Sequence, residues 1–170
     1  MREKMLKQHL LKMLSESCGR TEILNTIGRA AVAFMFHQTE KLFHLFLLDA
    51  DTSLSFPGME EKHGADAVLE GIETLIGAPL QPGEMVDAHL CSPKIDFGLD
   101  ALSAHGSWMV IAAIGTPTLE GPEQAKAEWA FGVLEADLVS CDDSWKIHKL
   151  CYRRHVRCDY DLGWEKEAKK

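Results

Sequence analysis

Three side chains that can move protons or act as nucleophiles, Asp87, His89 and Cys91, alternate along one segment of the chain. Because successive side chains of a strand point to opposite faces, this spacing places all three on one face if the segment is a strand. A histidine or carboxylate in an apolar cavity has its pKa moved toward neutrality, which suits it to proton transfer at carbon. The pattern therefore indicates acid–base chemistry, provided that this face lines a cavity.

A second cluster has the residue types of a zinc site: His148, Cys151, His155 and Cys158 follow one another at short intervals. On a helix these four side chains would share a face. The segment is predicted to be a strand, however, where residues 148 and 158 oppose residues 151 and 155. We therefore predict no metal site, and zinc bound to the purified protein would contradict this prediction. The sequence also has no Gly-rich phosphate loop, and no cofactor is expected.

The composition is that of an ordinary globular protein, with 46% hydrophobic and 26% charged residues in a chain of 170. This length predicts a single domain over residues 1–170. The net charge of −8 argues against a nucleic-acid partner, since phosphate binding relies on clustered Lys and Arg. No apolar run approaches the roughly 20 residues of a membrane span, so no membrane partner is expected. The five irregularly spaced cysteines and the lack of a signal peptide favour the cytoplasm.

Helical periodicity dominates the first half of the chain. Residues 3–15 predict a short amphipathic helix that ends before Gly19, so residues 1–18 form an extra N-terminal helix. A second helix runs from about Thr21 to His37 or Gln38. The remaining predicted elements of this half are a turn-rich segment over 40–48, short strands over 52–56 and 60–64, a helix over 65–76 closed by Gly77, and a loop over 80–84.

Strands follow in the second half. Residues 86–97 and 101–115 predict two long strands, and a loop over 116–124 leads to two more, over 129–139 and 145–156. The last two join at the turn 141–144, and residues 165–170 form a tail. Helices followed by a run of antiparallel strands predict an α+β fold in which helices pack on one face of a bent sheet.

This order of elements resembles the SnoaL-like branch of the NTF2-like superfamily, the α+β barrel proteins that include polyketide cyclases and scytalone-dehydratase-like proteins. The resemblance covers nearly the whole chain from about Thr21. It is carried by the segments 40–50 and 89–95, by Gly98 and Asp100-Ala101, by Trp129 with Gly132, by the segment 145–147, and by Asp159-Tyr160 ahead of Gly163-Trp164. It implies a cone-shaped barrel, with N-terminal helices packed on a strongly curved antiparallel or mixed sheet, and a deep apolar pocket.

The resemblance also assigns pocket positions. His89 falls where such relatives carry a pocket histidine, and this makes it the candidate general base. A Tyr-Asp pair of the dehydratase-like relatives falls on Phe34 and Met35, a further tyrosine on Phe56, and a Ser and an Asn on Gly132 and Leu134. Most of the dehydratase machinery is therefore absent. The other predicted pocket residues are Cys91, Trp108, Glu128 and Tyr152, and His37, Asp87 and His105 are further candidates for polar side chains at the cavity.

Two functions follow from these assignments. One is a cofactor-independent lyase or isomerase that acts on a small apolar or polycyclic substrate, with His89 as base and Asp87, His37 or Glu128 orienting it. The alternative is a non-catalytic domain that binds a small apolar ligand or dimerises. The resemblance further implies a homodimer formed through the outer face of the sheet, and the segment 101–115 carries apolar residues on both faces, as a doubly covered strand does.

Overall fold

The structure, a computed structural model, describes residues 2–116 and 126–160. Within these residues the chain forms three helices and six strands. In chain order they are α1 (Arg2–Met35), α2 (Thr39–Phe43), β1 (Ser53–Ser55), β2 (Lys62–His63), α3 (Ala65–Ile76), β3 (Met85–Phe97), β4 (Ser103–Thr116), β5 (Lys126–Cys141) and β6 (Ser144–Asp159). Most of the predicted loop 116–124, the Gly163-Trp164 motif and the tail 165–170 lie outside the described residues.

All six strands belong to one sheet, in the order β2-β1-β6-β5-β4-β3. Strand β1 runs parallel to β6, and every other neighbouring pair is antiparallel. The sheet is therefore mixed, and the predicted α+β class is confirmed. Four long strands, β3 to β6, make up its main part and form consecutive hairpins.

The tight turn between β5 and β6 lies where the sequence predicts it. Cys141 pairs with Ser144, and the two residues between them, Asp142 and Asp143, have φ angles of 49° and 58°. A two-residue hairpin turn with two left-handed residues matches the twist of the flanking strands, and Asp tolerates this conformation better than most residues. Local turn chemistry thus sets the register of the last two strands.

Helix α1 corrects the prediction of two separate helices. It continues without a break through Gly19, so the segment predicted as an extra N-terminal helix is the first half of α1. A Cβ atom at Gly19 would lie 3.0 Å from Cε1 of Phe97 and 3.2 Å from Cζ2 of Trp145. Glycine in a helix interior costs roughly 1 kcal/mol relative to alanine but does not by itself end the helix. Gly19 therefore allows α1 to pack closely on the sheet.

The two halves of α1 differ in burial. In the first half, six large apolar side chains are each more than half exposed: Met5, Leu6, Leu10, Leu11, Met13 and Leu14. In the second half, Ile23 and Ile27 are fully buried, and the hydroxyl of Thr26 donates a hydrogen bond to the carbonyl oxygen of Trp145 at 3.2 Å. The second half thus anchors α1 to β6. Among the described residues, no helix is long and apolar enough to cross a membrane.

Helix α3 packs beside β1 and completes the core. Its buried residues Val68, Ile72 and Ile76 recur at intervals of four, as the predicted amphipathic pattern requires, and Gly77 follows its last residue. Gly71 allows close approach to β1, since a Cβ there would lie 3.1 Å from Cδ2 of Leu54. The core joins both helices to the inner face of the sheet, where Leu138 and Ile147 are almost completely buried.

Candidate functional site

A cavity of about 360 Å³ lies between the inner face of the sheet and the helices. Its walls come from α1, α2, α3, β1 and the four long strands. Most of the lining is apolar, and among the described residues that line the cavity there is no histidine and no carboxylate. Representative lining residues are Ile27, Phe34, Leu42, Leu54, Ile72, Val110, Ile114 and Leu150. The interior can therefore take up an apolar molecule but contains little acid–base chemistry.

Strand β3 turns its apolar residues, not its histidine, toward the cavity. Val86, Ala88 and Leu90 line it. The intervening His89 lies on the outer face with 65% of its side chain exposed, and its Nε2 is 3.1 Å from Oδ2 of Asp87, which is itself about half exposed. The predicted placement of His89 in the pocket is therefore corrected. The hydrophobic effect decides which face of the strand points inward, because the opposite orientation would bury Asp87 and His89 in place of the apolar residues.

A β-bulge in β3 reverses which of its residues face inward. The pairing with β4 shifts between Cys91 and Lys94, and Ser92 within this interval has a φ of 51°. Beyond the bulge the odd-numbered Ile95 is buried. Odd-numbered residues thus face inward only after the bulge, whereas Asp87, His89 and Cys91 precede it and share the outer face.

The last strand supplies the polar part of the wall. Tyr152, Arg154 and Arg157 all line the cavity. The interval of three between the two arginines would normally place them on opposite faces. A bulge at His155 changes this, because Arg154 pairs with Gly132, Val156 with Phe131, and Arg157 with Ala130. Both arginines consequently lie on the inner face.

Tyr152 lies beside two phenylalanines of the cavity wall. Its ring centroid is 5.7 Å from that of Phe56, which in turn lies 6.4 Å from Phe34. Burial raises the pKa of the Tyr152 hydroxyl, and the nearby charge of Arg154 opposes this in part. The hydroxyl oxygen is buried and has no hydrogen-bond partner within the described part of the chain. At neutral pH it is therefore a protonated donor without an acceptor.

Glu128 lies near the rim rather than in the wall. Its Oε2 accepts a hydrogen bond from Nη2 of Arg157 at 2.5 Å, and this bond raises the pKa of the arginine. On the outer face, Nη2 of Arg153 donates a hydrogen bond to Oε2 of Glu135. Two of the three neighbouring arginines of β6 are thus paired with carboxylates of β5.

The remaining predicted site residues take structural positions. Met35 Sδ accepts a hydrogen bond from the backbone N–H of Ala88 at 3.2 Å, and His37 Nδ1 donates to the carbonyl oxygen of Ala78 at 2.6 Å. Trp108 is buried, but it does not line the cavity. His105 lies on the outer face, where its Nδ1 is 2.7 Å from Oδ1 of Asp137. The structure therefore brings Phe34, Phe56, Leu134 and Tyr152 together around the cavity, and it leaves Met35, His37, Asp87, His89, Cys91, Trp108, Glu128 and Gly132 out of its lining.

The zinc-like spacing on β6 does not assemble a site. Among the described residues, no group of three or more His, Cys, Asp or Glu side chains could hold a metal ion. The pairing of β5 with β6 skips both His148 and His155, and Nε2 of His148 lies 3.1 Å from Oδ1 of Asp49. The two histidines therefore occupy bulges in a twisted strand.

Arg154 and Arg157 are the charged lining residues that sequence reasoning missed. Alternation from Leu150 through Tyr152 would have predicted an inward Arg154. The inward position of Arg157 depends on the bulge at His155, which no local sequence signal marks. The alternation of a strand thus predicts the inward orientation of Arg154 but not that of Arg157.

The sequence matches one known protein family over most of its length. The profile of the SnoaL-like domain matches residues 15–151. The chain belongs to the SnoaL-like family. The exposed first turns of α1, up to residue 14, precede the matched region of this SnoaL-like chain. No protein of curated function matches its sequence.

Solved structures share the fold over most of its length. A protein from Novosphingobium aromaticivorans that is provisionally named a scytalone dehydratase has 20% identity and a TM-score of 0.70, covering 87% of this chain and 91% of that one. A hexachlorocyclohexane dehydrochlorinase, LinA type 2, has 14% identity and a TM-score of 0.69, covering 86% and 91%. A provisionally named dehydratase of the NTF2-like family from Streptomyces avermitilis has 13% identity and a TM-score of 0.70, covering 82% and 99%. At these identities the similarity shows the NTF2-like fold alone.

Proposed function

We propose that this SnoaL-like chain binds a small apolar molecule in the cavity and does not use a histidine as catalytic base. The observation that carries the proposal is the lining itself: the described residues around the cavity include neither a histidine nor a carboxylate, while His89 and Asp87 contact each other on the opposite face of β3. Pockets that bind small molecules are mostly apolar with few polar groups, and this cavity has that character.

A neutral fluorescent probe tests this proposal. Naphthamide has an apolar ring system, carries no charge and can be titrated by its own fluorescence. We expect it to bind the wild-type protein and to lose binding in Ala88→Phe, because Ala88 lines the cavity and a phenyl ring there would fill it. Ala113→Phe is the matched control, since Ala113 pairs with Asp87 and shares its outward face. Equal binding by both variants would show that the probe binds elsewhere and would contradict the proposal.

A cofactor-free lyase is the second candidate, and the dehydratase and dehydrochlorinase names of the structural neighbours favour it. In this candidate the base would be Glu128, which contacts the lining residue Arg157. A panel of halogenated cyclohexanes and hydroxylated polycyclic compounds distinguishes the candidates, with elimination measured as released chloride or, by mass spectrometry, as a product lighter by one water. Turnover that Glu128→Gln abolishes without weakening naphthamide binding would establish the lyase and refute the binding-only function.

We also propose that the chain forms a homodimer through the outer face of the sheet. On this face Met109, in β4, is 55% exposed, and Met85, the first residue of the edge strand β3, is 48% exposed. Exposed apolar side chains that share a face favour an interaction surface. Light scattering at micromolar concentration should give twice the monomer mass, and Met109→Glu should halve it. Leu99→Glu, at a fully exposed turn position, is the control that should leave the dimer intact. A monomeric wild type would contradict this proposal.

All five cysteines are free, which supports the proposal of a cytoplasmic location, where thiols stay reduced. Fractionation of cells that express the tagged protein is the direct test. Recovery in an extracytoplasmic fraction would contradict it.

A further inference from the structure

The polar groups of the cavity are concentrated on one strand. Tyr152 and Arg154 lie two residues apart on the inner face of β6, opposite Leu134 and Gly132 of β5. The rest of the described lining is apolar apart from Arg157, whose charge is paired with Glu128. Tyr152 and Arg154 thus form one polar corner of the cavity, and both side chains are hydrogen-bond donors.

Gly132 makes this corner possible. A Cβ atom at this position would lie 2.6 Å from Cε2 and 3.0 Å from Cζ of Tyr152, and it would also overlap the carbonyl oxygen of Arg153. Glycine therefore leaves the space into which the tyrosine ring packs. The resemblance implies a polar residue at this position in relatives. In this chain the polar group of the site, the Tyr152 hydroxyl, lies on the neighbouring strand instead.

The Tyr152 hydroxyl is a donor that lacks an acceptor. Its oxygen is buried and unpartnered within the described residues. A buried polar group without a partner is costly, so such groups in native proteins call for an explanation. A bound ligand with an acceptor at this place would supply the missing hydrogen bond.

Arg154 forms no ion pair within residues 2–116 and 126–160. Its neighbours Arg153 and Arg157 each bind a glutamate of β5, whereas Arg154 faces Gly132, and none of the described carboxylates forms an ion pair with it. The chain carries a net charge of −8, whereas Arg154 places a positive charge at the cavity that no described carboxylate pairs. This positive charge would attract an anionic group to the cavity, although the net negative charge of the chain repels anions.

We propose that Arg154 and the Tyr152 hydroxyl together bind the carboxylate of the ligand, whose apolar body fills the cavity. The ligand class is therefore a small aryl or alicyclic carboxylic acid. A planar guanidinium can donate two parallel hydrogen bonds to a carboxylate, and the hydroxyl adds a third. A doubly charged phosphate fits less well, because only one unpaired cation is present among the described lining residues. This inference rests on the proposed function, since it requires an occupied cavity.

The test compares two probes of the same shape, naphthoic acid and naphthamide, by fluorescence titration and calorimetry. We expect the wild-type protein to bind the acid about tenfold more tightly, or better, because hydrogen bonds between charged partners are the stronger ones. Arg154→Gln should remove this preference by weakening the acid about tenfold while changing the amide less than about twofold. Tyr152→Phe should weaken the acid several-fold, and Arg153→Gln, on the outer face, should change neither probe.

The outcomes separate this inference from the proposed function. If acid and amide bind equally and Ala88→Phe blocks both, the carboxylate site is refuted and the apolar binding function stands. A preference for the acid that survives Arg154→Gln also refutes the site. If neither probe binds to the folded protein, the binding function itself fails, and the carboxylate site fails with it.

Discussion

Replacing Gly132 with alanine should destabilise the protein, although the change adds only one methyl group. The added carbon would lie 2.6 Å from Cε2 of Tyr152, whereas carbon atoms pack best at about 3.5–4.0 Å. The tyrosine ring would therefore have to move by about 1 Å. Ring rotation cannot relieve the whole overlap, because the carbonyl oxygen of Arg153 in the paired strand is also too close. Overpacking of this kind costs about 1–3 kcal/mol.

Gly28 provides the matched control for this substitution. It lies in the exposed face of α1, and a Cβ atom there would have no neighbour within 4 Å. Alanine at an interior helix position is more favourable than glycine by about 0.8–1.0 kcal/mol. The same chemical change should therefore stabilise the protein at residue 28 and destabilise it at residue 132.

Urea unfolding followed by tryptophan fluorescence measures both effects. Two of the four tryptophans, Trp108 and Trp145, are buried, so the signal reports on the core. The free energy of unfolding should fall by about 1–3 kcal/mol for Gly132→Ala and rise for Gly28→Ala, with unchanged slopes. In a thermal scan, each kcal/mol corresponds to roughly 2–4 °C in Tm. A Gly132→Ala protein as stable as the wild type would refute the described packing of Tyr152 against β5.

Three further predictions concern other parts of the molecule. Removal of residues 2–14 should change the free energy of unfolding by less than about 0.5 kcal/mol, because the large apolar side chains of this segment are more than half exposed. A larger loss of stability in urea unfolding would contradict this and would show that these side chains make stabilising contacts. Thr26→Val should cost about 1 kcal/mol in the same assay, since it removes the buried hydrogen bond to the carbonyl oxygen of Trp145. Thr21→Val is its control, because the hydroxyl of Thr21 is exposed and donates only within the helix, to the carbonyl oxygen of Ser17. Burial raises the pKa of Tyr152. The contribution of Tyr152 to stability is therefore fully present below the ordinary tyrosine pKa and is lost as the pH rises through the pKa of the folded state. Spectrophotometric titration should show an ionisation step above the ordinary pKa that disappears in Tyr152→Phe, and a step that persists in this variant would contradict the assignment.

Most of the fold was predictable because local patterns and tertiary packing agree. Helix α3 has its predicted bounds, since its apolar residues recur with helical spacing and Gly77 follows. The turn between β5 and β6 was predictable from two adjacent aspartates. The break expected at Gly19 was wrong, because a helix tolerates a glycine whose missing side chain makes room for Phe97 and Trp145.

The site was less predictable, and β3 shows why. Its alternation of Val86, Ala88 and Leu90 with Asp87, His89 and Cys91 already favours an inward apolar face. The position of histidine in relatives favoured the other face, and that inference gave the wrong orientation. A resemblance at low identity preserves the strand more reliably than the direction of each side chain along it.

The amino-acid sequence alone determines most of the secondary structure, the turn between the last strands and the α+β class, because these depend on periodicity and on residues near one another in the chain. Only the tertiary structure decides which groups share the cavity. Arg154 and Arg157 lie on the same inner face because β6 bulges at His155 against β5. Such a bulge arises from the pairing of two strands, so no single segment encodes it, and the polar corner of the cavity depends on it.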